Sequence, residues 1–173
     1  KNLSYYLNYL SKEYLYNIFK DDIYSDIHGD LTIENIICNL NTMEEKYYII
    51  DPNSENINNS ANLDYAKILQ SIHGGYEFMM RTYDVSFEEN QINFLFTKSQ
   101  AYFYLYKKLN EYMNFNFKKE KIRSIYFHEI VHWLRLIPYK LKKDGKRALI
   151  FYSGLLMVLD DVITMYGEKN EKK

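Results

Sequence analysis

"DIHGDLTIENIICNL", residues 26–40, sets a histidine, an aspartate and an asparagine around one glycine and then turns apolar. The runs ENIICNL (34–40) and KYYIID (46–51) are short and rich in β-branched and aromatic residues, and the polar NTMEE (41–45) separates them. That is the pattern of a β-hairpin. Such a hairpin leads His28, Asp30 and Asn35 into its first strand and returns Asp51, at the end of its second, beside Asn35. Two carboxylates and a carboxamide on adjoining loops suit magnesium-dependent phosphoryl transfer, because Mg²⁺ takes hard oxygen ligands and an attacking hydroxyl needs a proton acceptor. The competing reading is structural: Asp and Asn side chains cap local backbone in ordinary turns.

Upstream, Leu3, Leu7, Leu10, Tyr14 and Ile18 fall on one stripe at helical spacing, so residues 3–20 read as an amphipathic helix. Downstream, the Ser/Asn-rich loop PNSENINNSAN (52–62) gives way to LDYAKILQSIHGGYEF, a helix over 63–73 that resumes after Gly74 and Gly75. Three further periodic segments cover roughly 87–113, 119–142 and 145–166. The expected fold is mainly α with one small β-hairpin. With no internal repeat and no shift in composition, residues 1–173 read as a single domain whose remainder, 63–166, is helical, and the charged tail GEKNEKK is expected to fray.

Composition narrows the function. Hydrophobic residues make up 47 % of the chain and aromatics 17 %, which excludes a disordered segment and implies an aromatic-rich core. A formal charge of −1 gives no overall attraction to nucleic acid or an anionic membrane, and neither is an expected partner. The one cysteine, Cys38, sits in an apolar run and reads as a buried strand residue; alone it excludes an internal disulfide and a Cys-based zinc site. With no leader pattern at the start and no run of about 18 uninterrupted apolar residues, the expected location is the cytoplasm.

The spacing H-x-D-x4-N of His28, Asp30 and Asn35, followed sixteen residues later by the aspartate of IIDP, resembles the catalytic and metal loops of the protein-kinase-like superfamily. The likeness is closer to aminoglycoside phosphotransferases and choline kinases, which favour the HGD triplet and an aspartate in an "ID-x" setting, as in YYIIDPN. LDYAKILQSIHGGYE resembles the helix that those enzymes place after the metal loop. The resemblance covers residues 26–77 and implies the C-terminal lobe of a kinase-like fold, with the catalytic and metal loops at 26–53. It further implies that Asp30 accepts the proton of a substrate hydroxyl and that Asn35 and Asp51 hold Mg²⁺ against the phosphates of ATP. His28 and Asp64 would support the catalytic loop. The implied acceptor is a hydroxyl on an amino-sugar, a sugar or an amino-alcohol such as choline. Only 27 residues precede His28, and they hold no glycine. The small lobe that covers the nucleotide is therefore expected upstream of Lys1 or in another chain. A kinase-fold binding module without catalysis is the alternative.

A second motif competes. His128-Glu129-x-x-His132 has the spacing of a zinc hydrolase helix. The metzincin extension fails, because Arg135 and Pro138 stand where glycine and histidine are needed, and the face Lys121, Ser124, His128, His132, Arg135, Tyr139 gathers cations. Two other readings are a polar face opposite Ile122, Tyr126, Trp133 and Ile137, or a substrate-cleft wall built from His128, His132 and Arg135. Tyr76 and Glu77, just after the glycine pair, are further candidate substrate contacts. Pro138 is expected to kink or end its helix, Asp160 and Asp161 to face water, and the aromatics of SQAYFYLYKKLNEYMNFNF to enter the core.

Overall fold

The structure is a computed structural model that describes residues 1–39, 46–56 and 58–167. It begins with a 3-10 helix, Leu3–Leu10, followed by α1, Lys12–Phe19. The single helix expected over 3–20 breaks at Ser11, whose extended backbone ends the first element and whose Oγ accepts the Tyr14 N–H at 3.3 Å to cap the second. Strands β1, Ile36–Asn39, and β2, Lys46–Ile49, pair antiparallel with Ile36 opposite Ile49 and Asn39 opposite Lys46. The expected turn of that hairpin, 41–45, and the expected fraying tail, beyond Gly167, lie outside the described residues.

Next come α2, Asn62–Ile72, and the short α3, Tyr76–Met80. A second hairpin follows, β3, Val85–Glu88, against β4, Gln91–Phe94. Its two corner residues, Glu89 and Asn90, have φ of 47° and 65°, the positive pair that a type I′ corner requires. This corrects the helix expected from residue 87: α4 spans Gln100–Asn116. Helices α5, Lys119–Lys143, and α6, Gly145–Tyr166, complete the fold. Pro138 lies inside α5 and does not end it.

Helix α5 is the central element, packed against α2 on one side and α6 on the other. It buries Ile122, Ile125, Tyr126, Ile130 and Trp133 at helical spacing. Helix α6 is long and apolar enough to cross a membrane by length and composition, and here it lays Ile150, Leu155, Val158, Leu159 and Val162 into the core. Gly154 permits the close approach: a Cβ there would stand 2.7 Å from Met79 Sδ and 2.8 Å from Trp133 Cζ3.

Two expectations of burial are corrected. Within α4 only Met113 is fully buried; Tyr106, and Phe117 just after the helix, pack against the core, while Phe103, Tyr104, Tyr112 and Phe115 are exposed, because the helix meets α2 and α5 along one side. Cys38 is exposed as well, and so are all four residues of the β2 strand paired with it.

Candidate active site

One face of α2 reads along the loop between residues 28 and 33. Asp64, Lys67 and Ser71 stand at i, i+3 and i+7, which places them above one another on a helix. The Asp64 carboxylate accepts the backbone N–H of His28 on Oδ2 and that of Gly29 on Oδ1, both at 2.8 Å. Lys67 Nζ lies 2.9 Å from Asp30 Oδ1. Ser71 Oγ accepts the Ile33 N–H at 3.3 Å. The helix thus grips the loop at three successive points.

Gly29 turns the loop with φ of +81°, a conformation that side chains rarely adopt, and a Cβ would meet the Asn53 carbonyl oxygen at 2.5 Å. The His28 ring joins the loop to the hairpin. Its Nδ1 accepts the Asp30 N–H at 3.3 Å, so Nε2 carries the proton and donates to the Ile50 carbonyl at 2.8 Å. Ile50 N–H in turn donates to the Asn35 carbonyl at 3.0 Å. These bonds fix the end of β2, and with it Asp51, against both ends of the loop. Asp51 is exposed and left-handed, with φ of 59°, a region that few residues other than glycine, asparagine and aspartate enter.

Asn35 spends its Nδ2 on the Asp30 carbonyl at 2.8 Å, which leaves its Oδ1 as an acceptor. That oxygen and the Asp51 carboxylate are hard oxygen donors on neighbouring chain segments. The donor set fits Mg²⁺, which takes few protein oxygens and completes its shell with water and phosphate.

Tyr76 and Glu77 lie on the α3 side of the loop. Burial, then the carboxylates of Asp30, Glu77 and Glu34, push the Tyr76 phenol up to about 12. Glu77 is buried, and its Oε1 accepts the Ser71 hydroxyl. Burial raises its pKa despite that bond, and Oε2 has no hydrogen-bond partner among the described residues.

The HExxH residues are not assembled as a metal centre. His128 Nε2 bonds Asp22 Oδ2 at 2.7 Å and its ring stacks on Phe19. Glu129 bonds His73 Nδ1 at 2.8 Å, and His132 Nε2 reaches the Leu63 carbonyl at 3.2 Å. Among the described residues no group of three His, Cys, Asp or Glu is placed to hold a metal. Of the three residues read as a cleft wall, His128 and His132 are buried, facing α1 and α2, while Arg135 is exposed. Burial, then the Lys67 charge, holds His132 well below its ordinary pKa. Of the two acids expected to face water, Asp160 accepts Tyr6 Oη at 2.8 Å and Asp161 lies 3.5 Å from His73.

Two groups escaped the sequence reading. Asp22 collects Ser124, Asn62, Ser60 and His128 from across the chain; burial disfavours its charge, yet these donors hold its pKa below the usual carboxylate value. Nothing local in the sequence signals that cluster. Lys67 was within reach, since it follows Asp64 by three residues on a helix that the sequence does predict. No protein-family model, curated protein or solved structure matches the chain.

Proposed function

We propose that this chain carries the catalytic and metal loops of a small-molecule O-phosphotransferase that uses Mg·ATP. The observation that supports the reading best is the pair of hydrogen bonds that the backbone N–H groups of His28 and Gly29 donate to the Asp64 carboxylate. It fixes the residue before Asp30, while the His28 ring ties the same loop to the residue before Asp51.

In this reading the Asp30 carboxylate orients the acceptor hydroxyl and takes its proton as the acceptor oxygen bonds to the γ-phosphorus and the bond to the leaving ADP oxygen breaks. Asn35 Oδ1 and Asp51 would hold Mg²⁺, which would neutralise phosphate charge when bound. Lys67 is a positioning residue that aims the Asp30 carboxylate. The acceptor is a hydroxyl of a sugar, an amino-sugar or an amino-alcohol.

A second reading, a kinase-fold binding module without turnover, draws on the same ion pair: at 2.9 Å Lys67 already occupies the carboxylate that would take the proton. One experiment separates the two. Phosphate transfer from labelled ATP to a panel of amino-alcohols and sugars is measured with the full-length protein, its Asp30→Asn variant and its Asp51→Asn variant. The phosphotransferase reading expects turnover that falls by about a thousandfold or more in each variant, a transition-state loss of roughly 4 kcal/mol. Turnover retained in both variants overturns it, and nucleotide binding without turnover in the wild type supports the binding module.

A further inference from the structure

Away from the loop, on the far side of Tyr76, a cavity of about 190 Å³ opens between α3, the end of α5 and the start of α6. That is more than ten times the ~10–15 Å³ that one water needs. Lys140, Lys143 and Arg147 line it together with Met80, Asp144 and Phe151.

The chemistry of this lining is unbalanced. Lys140 is more than nine-tenths buried, at 7 % exposure, and among the described residues no carboxylate pairs with it. Among the described residues its ammonium finds one hydrogen-bond acceptor, the Met80 thioether at 2.8 Å, a weak one. It otherwise rests on aromatic faces, 4.4 Å from the Phe151 ring centre and 5.4 Å from that of Tyr76. Burial, then the charges of Lys143 and Arg147, pull its pKa down to about 8. Arg147 gives one Nη2 hydrogen to the Met80 carbonyl, but its Nε is buried with no hydrogen-bond partner among the described residues. The single carboxylate in the lining, Asp144, caps α6 by accepting the N–H groups of Lys146 and Arg147 on Oδ1. Three cations therefore face one anion that is already engaged. A buried lysine without a counter-charge is costly to maintain in a fold, and an anion entering the cavity removes that cost.

We infer that this cavity is a binding site for a phosphate-type oxyanion, held by Lys140, Lys143 and Arg147. The oxyanion is either free phosphate or the phosphate group of a small ester. The site is separate from the Asp30 and Asp51 loops, and the inference does not depend on the phosphotransferase reading.

Equilibrium dialysis with labelled inorganic phosphate and, separately, with labelled glycerol 3-phosphate tests it. The wild type is expected to bind saturably in the millimolar range or tighter, and Lys140→Met to weaken binding roughly thirtyfold or more, the loss of a buried charged partner. Lys143→Gln, on an exposed side chain that leaves the core intact, is expected to weaken it several-fold. Tighter binding of the ester identifies an ester ligand, and equal binding identifies the free ion. The inference fails if neither probe binds saturably to the wild type, or if binding is unchanged in both variants.

Discussion

Replacing Asp64 with alanine removes a single carboxylate and leaves two backbone N–H groups, those of His28 and Gly29, without acceptors. Each is a charge-assisted hydrogen bond of 2.8 Å in a half-buried setting, and such bonds contribute about 1.5–3 kcal/mol apiece. Partial exposure lets water recover some of that, so the expected loss is about 2–4 kcal/mol. Asp64→Asn should lose about half as much, since a carboxamide has one acceptor oxygen for two donors. Urea unfolding followed by tryptophan fluorescence measures this cleanly, because Trp133 is the only tryptophan and is fully buried. The informative control is Asp30→Asn. Its partner Lys67 is mostly buried, but Asp30 itself is 38 % exposed, so the ion pair should contribute less than about 1 kcal/mol. A loss below about 0.5 kcal/mol in Asp64→Ala, or a larger loss in Asp30→Asn, would refute the argument that the helix holds the loop through its backbone.

Two other perturbations test the core. Burial opposes a charge on His73, but Glu129 and Asp161 outweigh it and raise its pKa from 6.5 to about 10. That stabilisation is complete below about pH 6.5 and is lost as pH rises toward 10, at up to about 1.4 kcal/mol per pH unit. Unfolding free energies across this window should fall more steeply in the wild type than in His73→Gln, and parallel curves would count against the buried ion pair. Gly154→Ala drives a methyl to within 2.8 Å of the Trp133 ring, an overpacking that should cost about 1–3 kcal/mol; an unchanged or higher melting temperature would contradict the close approach of α6.

The helices from residue 119 onward were legible because each keeps an apolar stripe over many turns, and the first hairpin because two β-branched runs bracket a polar turn. The second hairpin was hidden, although Val85 and Phe87 alternate with Ser86, and Ile92 and Phe94 with Asn93. Its corner is Glu89–Asn90 and not the Asn-Gly or Asp-Gly that announces a type I′ turn, so the segment merged with the helix behind it. Ser11 was overlooked because a serine off an apolar stripe looks like ordinary surface until its capping bond is seen. Around the site, residues 28 to 35 and 51 were readable as a local pattern. The Asp22 cluster was not, since its partners lie up to 106 positions away and no local spacing encodes them. His128 and His132 show the converse failure: the HExxH spacing is a true helical juxtaposition, yet burial directs each residue to a different partner.

The left-handed backbone of Asp51 bears on how this protein can be engineered. Left-handed geometry costs most L-residues about 1–2 kcal/mol, aspartate less, and glycine almost nothing. A library selected only for heat resistance would thus drift toward glycine at position 51, gaining stability while discarding the carboxylate. Thermostable variants of this chain are best scored in the same round for the Mg·ATP binding proposed above.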